Sequence, residues 1–322
     1  MGGGSFDKSA YYSSASTRKA AGVDDFDYSK KSHVVHDSLK PKRIKDKVFS
    51  VLESRDNAEH PESTAIIVCF DVTGSNVTRA AEAQKTLPGL MTLLEKYISD
   101  PQIAVAANDD YFVEPDRCFQ MSEFESDNRI DDHIRNIKLV SNGGGNAGES
   151  YDLVLYAAAH KTATDCFEKR GKKGYLFLYA DEPILPVLDV KQVAHVFGDK
   201  IDIDIPIETL VEQVTEKWEV FLFWPVGGYQ HARDQYVKLF GDDHVITLQH
   251  PNKISEMIGI TIGIFEGKTT TAAAVDDLVS VGVSASTATT LTKSLAGLES
   301  SRAVGKSNGG HLEVGGSGAN RL

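Results

Sequence analysis

Residues Ala65 to Phe70 form an unbroken apolar run, the pattern of a short strand covered on both faces. Over residues 76–98 the apolar positions change to helical spacing: Ala80, Ala83, Leu87, Leu90 and Leu94, with Pro88 placed to kink the helix. The same alternation continues. Strands are predicted at 102–107, at 110–120 along a sheet edge, at 174–180 (GYLFLYA), at 219–224 and at 244–248. Helices are predicted at 128–137, from Tyr151 to about Thr164, and at 189–197, 206–217, 229–240 and 252–266. Repeated βα order predicts an α/β fold: a doubly wound, mostly parallel sheet with helices on both faces. Such sheets take ligands outside the carboxyl ends of their strands.

The ends of the chain lack this pattern. Residues 1–45 are rich in Ser, Gly, Tyr, Lys and Asp, which predicts a flexible N-terminal arm. Its Phe26, Tyr11, Tyr12 and Tyr28 suit docking on the domain or on a partner. A short helix is predicted near Arg43 (RIKDKVFSVLES), at the start of a domain spanning 46–267. Residues 268–299 predict a helical C-terminal extension, and the Gly- and Ser-rich 300–322 a disordered tail. Gly305-Lys306-Ser307 resembles the end of a phosphate-binding loop, but Ser300 stands where that loop's first glycine belongs and no strand precedes it.

Composition narrows the function. The 46 acidic and 34 basic residues leave a net charge of −12, which argues against nucleic acid and anionic membranes as partners. No run of 18 apolar residues occurs, and no apolar leader follows Met1. Cys69, Cys118 and Cys166 are odd in number, widely spaced and without a CxxC pair, so neither a zinc site nor a disulfide framework is predicted. The expectation is a reducing, cytoplasmic setting.

Three loops carry candidate chemistry. Phe70-Asp71-Val72-Thr73-Gly74-Ser75 follows the first strand and sets one carboxylate and two hydroxyls at alternate positions. Such hard oxygen donors suit Mg2+, Mn2+ or Ca2+; equally, Thr73 or Ser75 would cap the next helix. Gly143-Gly144-Gly145-Asn146-Ala147-Gly148-Glu149 offers Asn146 and Glu149 just before a helix, as ion ligands or as a helix-capping loop. Asp181 ends the buried strand GYLFLYA, as a ligand or a turn residue.

Together, residues 64–267 resemble a von Willebrand factor A (vWA) domain, a Rossmann-like fold, with its metal-ion-dependent adhesion site. Asp71-x-Thr73-x-Ser75 matches that family's DxSxS with Thr for Ser. GGGNAGES resembles its GGGDxPE, with Asn146 and Gly148 in place of Asp and Pro. Asp181 matches its third element. The resemblance implies that Thr73 and Ser75 bind the ion directly, that Asp71 and Asp181 bind it mostly through water, and that Asn146 or Glu149 supplies the second-loop contact. It implies a non-enzymatic protein-binding module, an adaptor or scaffold, whose Mg2+ (or Mn2+ or Ca2+) takes an Asp or Glu carboxylate of a partner. Intracellular members of the family serve beside MoxR-type AAA+ ATPases. The alternative is a structural subunit of a phage particle or filament, self-assembling through its terminal arms and residing in a virion.

Other readings fit less well. Thr73 stands where a phosphate hydrolase of the DxDx[TV] type needs its second Asp. No GxSxG elbow occurs, so no Ser-His-Asp grouping is legible. His33 and His36 lack a third ligand, and the acidic run Asp199–Asp204 lacks calcium-loop spacing.

Overall fold

A computed structural model of the chain describes residues 4–40, 48–76, 78–140 and 148–308; the side chains of Ser75 and of 304–308 lie outside that description. Residues 41–47, where a helix was predicted near Arg43, also fall outside it.

In chain order the elements are α1 (Lys8–Ala20), α2 (Asp27–Lys31), β1 (Leu52–Ser54), β2 (Thr64–Asp71), α3 (Arg79–Tyr97), β3 (Pro101–Asn108), β4 (Phe119–Met121), α4 (Arg129–Arg135), α5 (Asp152–His160), β5 (Thr162–Thr164), α6 (Asp165–Glu168), β6 (Gly174–Tyr179), β7 (Val187–Leu188), α7 (Val190–Phe197), β8 (Ile205–Pro206), α8 (Ile207–Lys217), β9 (Trp218–Pro225), α9 (Gln230–Phe240), β10 (Val245–Leu248), α10 (Ile254–Phe265), α11 (Ala274–Ser280), α12 (Ala285–Lys293) and α13 (Ala296–Asn308). Six strands form the main sheet in the order β10-β9-β6-β2-β3-β4. All its pairs are parallel except β3 with β4. The fold is therefore the doubly wound α/β class, and the winding reverses between β2 and β6.

Strand β2 explains the layering. Side chains alternate across a strand. Ile66, Val68 and Phe70 enter the core beneath α3, α4 and α10, while Ala65, Ile67 and Cys69 enter the one beneath α5, α7 and α8. Both faces are buried, which is why the run reads as continuously apolar.

Several local expectations need correction. The N-terminal stretch expected to be a flexible arm carries helix α1, capped by the Asp7 carboxylate on the amides of Ser9 and Ala10. Phe6, Tyr11, Phe26, Val35 and Leu39 from this stretch are buried in the domain core. Tyr11 is the one buried residue of α1, so no apolar period advertises the helix. Leu52–Ser54 is a strand rather than a helix end. It pairs with Thr162–Thr164, at the end of the stretch whose pattern predicts a helix from Tyr151. Three-residue strands are too short to show a period. Residues 110–117 turn, and only Phe119–Met121 pairs, as the antiparallel edge. Helix α13 continues past Ser300 to Asn308, and the rest of the predicted tail, 309–322, lies outside the described residues.

Candidate functional site

Asp71 is the last residue of β2 and is 1% exposed. Its Oδ1 accepts from the Thr73 amide at 2.7 Å and the Thr73 hydroxyl at 2.6 Å. Its Oδ2 accepts from Tyr151 Oη at 2.5 Å and Asn76 Nδ2 at 3.0 Å. Gly74, at φ +39, opens the tight turn over Gly74–Asn76 that brings Asn76 back towards Asp71. The same Asn76 amide donates to Asp181 Oδ1 at 2.9 Å. One side chain therefore joins carboxylates at the carboxyl ends of two neighbouring parallel strands, at the point where the winding reverses.

The second loop reaches the same edge. The Glu149 amide donates to Pro183 O at 3.0 Å, and Glu149 bridges to Ile184, directly beyond Asp181. Asn146 and the glycines 143–145 lie outside the described residues, as does the Ser75 side chain. Of the predicted residues, Asp71, Thr73, Glu149 and Asp181 are thus brought to one edge. Asn76 and Tyr151, which fasten Asp71 together with the Thr73 hydroxyl, carry little signal in the sequence: an amide directly after DVTGS is all it offers.

The electrostatics are those of negative charge out of water. Burial pushes the Asp71 carboxyl up to about 7 against the opposing hydrogen bonds from Thr73 and Tyr151, and Asp181 adds to the rise. Burial, followed by Asp71, Asp110 and Asp109, pushes Glu149 up to about 9. Glu149 Oε2, Asp109 Oδ2 and Asp110 Oδ2 are buried and have no hydrogen-bond partner, and neither oxygen of Asp152 has one. Burial is also the main cause that lifts Asp152 to about 8 and Asp109 to about 6. Orphaned acceptors and carboxyls this reluctant to ionise fit a place where a cation would compensate them. Among the described residues no three His, Cys, Asp or Glu form a metal-holding group.

The other candidates have local roles. His36 Nδ1 lies 2.9 Å from Ser38 Oγ and caps a short turn. In the acidic run, Asp199 binds Lys161 and Tyr156, and Asp204 accepts from the Val190 amide. Among the described residues no helix is long and apolar enough to cross a membrane.

No known family profile matches the sequence, and no curated protein matches it. Solved structures do. The open conformation of the pilus adhesin SpaC from Lactobacillus rhamnosus GG matches at 8% identity and TM-score 0.46, over 66% of this chain and 31% of that one. Proximal thread matrix protein 1 from the mussel byssus matches at 13% and 0.41, over 62% and 47%. A von Willebrand factor type A protein from Catenulispora acidiphila matches at 11% and 0.37, over 63% and 42%. In each case the match spans less than half of the other chain.

Proposed function

We propose that the carboxyl edge of the sheet is a vWA-type adhesion site and that the chain is a metal-dependent protein-binding module. The observation that carries this is the Asn76 amide shared by Asp71 and Asp181 beside the Thr73 hydroxyl, at the strand reversal. Thr73 and Ser75 would hold Mg2+, or Mn2+ or Ca2+, through their hydroxyls. Asp71 and Asp181 would hold it through water, and Asn146 or Glu149 would complete the second loop. The ion would supply an electrophilic position for an Asp or Glu carboxylate of a partner protein, a directed contact that a surface ion pair lacks. The chain's own part is to orient the Thr73 hydroxyl through Asp71 and to fix Asp71 through Tyr151. The reading assigns no bond-breaking step to this centre. An adaptor beside a MoxR-type AAA+ ATPase, in the cytoplasm, is the setting it suits.

The test is a titration of Mg2+ and Mn2+ into the metal-stripped chain, followed by melting temperature. A ligand of the folded state alone stabilises by about 2.7 kcal/mol at about 100 times its Kd. Tm is expected to rise with metal, and Thr73→Val, which keeps the volume and removes the hydroxyl, is expected to abolish the rise. No rise with either ion at millimolar concentration would overturn the reading.

A further inference from the structure

At the opposite edge of the sheet, where the strands begin, three side chains far apart in sequence come together. His60 lies in the loop before β2, Asp100 directly before β3, and Ser126 beyond β4. Ser126 Oγ is 3.1 Å from His60 Nε2, and His60 Nδ1 is 3.4 Å from Asp100 Oδ1. Ser126 is 3% exposed and His60 6%. The third member is fixed: Asp100 Oδ2 accepts from the Glu62 amide at 2.8 Å, and Asp100 holds a left-handed backbone, φ +40, that non-glycine residues seldom adopt. The three border a cavity of about 450 Å³. The Gly4 carbonyl lies on the pair, accepting from Ser126 Oγ at 2.7 Å and lying 2.8 Å from His60 Nε2.

We propose that Ser126, His60 and Asp100 form an acyl-transfer site, independent of any metal, which the N-terminal segment of the same chain holds shut. A nucleophile, a base and a carboxylate that orients the base are recognised by geometry, whatever their order in the chain. In the closed state the Gly4 carbonyl accepts hydrogen bonds from the Ser126 hydroxyl and from a protonated His60 Nε2, so Nε2 is not free to act as base. With the segment lifted, the Ser126 hydroxyl turns to Nε2, and the imidazole proton resides on Nδ1, towards Asp100. Ser126 Oγ then bonds to the acyl carbon of an ester while its proton passes to Nε2. The ester C–O bond breaks and the alcohol leaves with that proton. A water molecule next gives a proton to Nε2 as its oxygen bonds to the acyl carbon. The bond to Ser126 breaks, Ser126 regains the proton, and the carboxylic acid departs.

The cavity specifies the substrate class. Met91 and Ile98 give it an apolar wall, whereas Glu62 and Glu95 stand exposed on its lining. Neutral or cationic acyl esters fit this lining; anionic ones meet two carboxylates.

The segment is fastened by Asn128, whose Oδ1 accepts from the Asp7 amide at 2.8 Å and whose Nδ2 donates to the Asp7 carbonyl at 2.9 Å. Asn128→Ala in the full chain therefore loosens the cover without touching the three residues. The experiment, run in EDTA so that the divalent-ion reading has no bearing on it, treats the chain with a fluorophosphonate, locates the adduct by mass spectrometry and measures p-nitrophenyl acetate hydrolysis. The expected result is an adduct on Ser126, formed about tenfold faster in Asn128→Ala, the scale of two lost hydrogen bonds. Hydrolysis is expected to fall by about 10²-fold or more in His60→Ala and to vanish in Ser126→Ala. The proposal is overturned if the wild-type and Asn128→Ala chains, both folded by circular dichroism, give no Ser126 adduct and hydrolyse the ester no faster than Ser126→Ala. The three residues would then do no more than fasten Gly4.

Discussion

Asp71 accepts four hydrogen bonds yet its carboxyl still sits near 7, because burial outweighs the donors around it. The consequence for stability has a definite sign. A carboxyl raised in the folded state binds its proton more tightly there than in the unfolded chain, whose value is near 3.8. The stability this confers is complete below about pH 4 and is lost as pH rises through the folded value. Asp71 and Asp152 act in the same direction, with folded values of about 7 and about 8. The melting temperature of the metal-stripped chain should therefore fall between about pH 5 and about pH 8, and saturating Mg2+ should reverse most of the fall. Asp152→Asn separates the two carboxyls. Both Asp152 oxygens are buried without a partner, so the substitution should stabilise the chain by about 1 kcal/mol or more at about pH 8 and by much less at about pH 5. Thermal melts at the two pH values check it. At this scale the sequence was half legible. Asp71, Thr73, Glu149 and Asp181 stand in motifs, whereas Asn76 and Tyr151 act through a turn and a helix start that only the folded backbone brings together. The pairing of Ser126 with His60 and Asp100 had no local signal, since each member comes from a different loop.

Among the elements, α3 packs against α10 where two glycines of α10 leave room for it. A Cβ at Gly259 would stand 2.6 Å from Leu93 Cβ, and one at Gly263 would stand 2.6 Å from the Tyr97 ring. Both positions face α3, one helical turn apart. Gly259→Ala should cost about 1–3 kcal/mol through overpacking, although alanine is the better helix former. The urea midpoint should fall with the slope unchanged. The long elements were readable because their periods run for many residues: β2, α3, β6, β9 and α10 lie where the apolar pattern sets them. The short ones were not. β1, β5 and β4 have three residues each and exist through their partners. Helix α1 is held by its cap and by the Tyr11 hydroxyl on Gln84 O at 2.7 Å, features without an apolar stripe.

For the molecule as a whole, the N-terminal segment packs on the domain, with Phe6, Tyr11, Phe26, Val35 and Leu39 in its core. Asp131 ties helix α1 to it, pairing with Arg18 at 3.0 Å while accepting from Gln84 Nε2 at 2.6 Å. Asp131→Asn should lower hydrogen-exchange protection across residues 8–20 by about tenfold, the scale of one charged hydrogen bond lost, while β2 stays as protected as before. Equal loss in β2 would mean that the segment and the sheet open as one unit. The sheet edges bear on how copies of the chain can meet. β4 offers three residues and β10 four. Within β4, the Gln120 side chain is spent on both backbone groups of Lys138, at 2.8 Å each. Edges this short give an incoming strand little to pair with. A filament built through the described residues would join helix and loop surfaces, and its aligned fibres should lack the meridional reflection at about 4.7 Å that stacked strands produce.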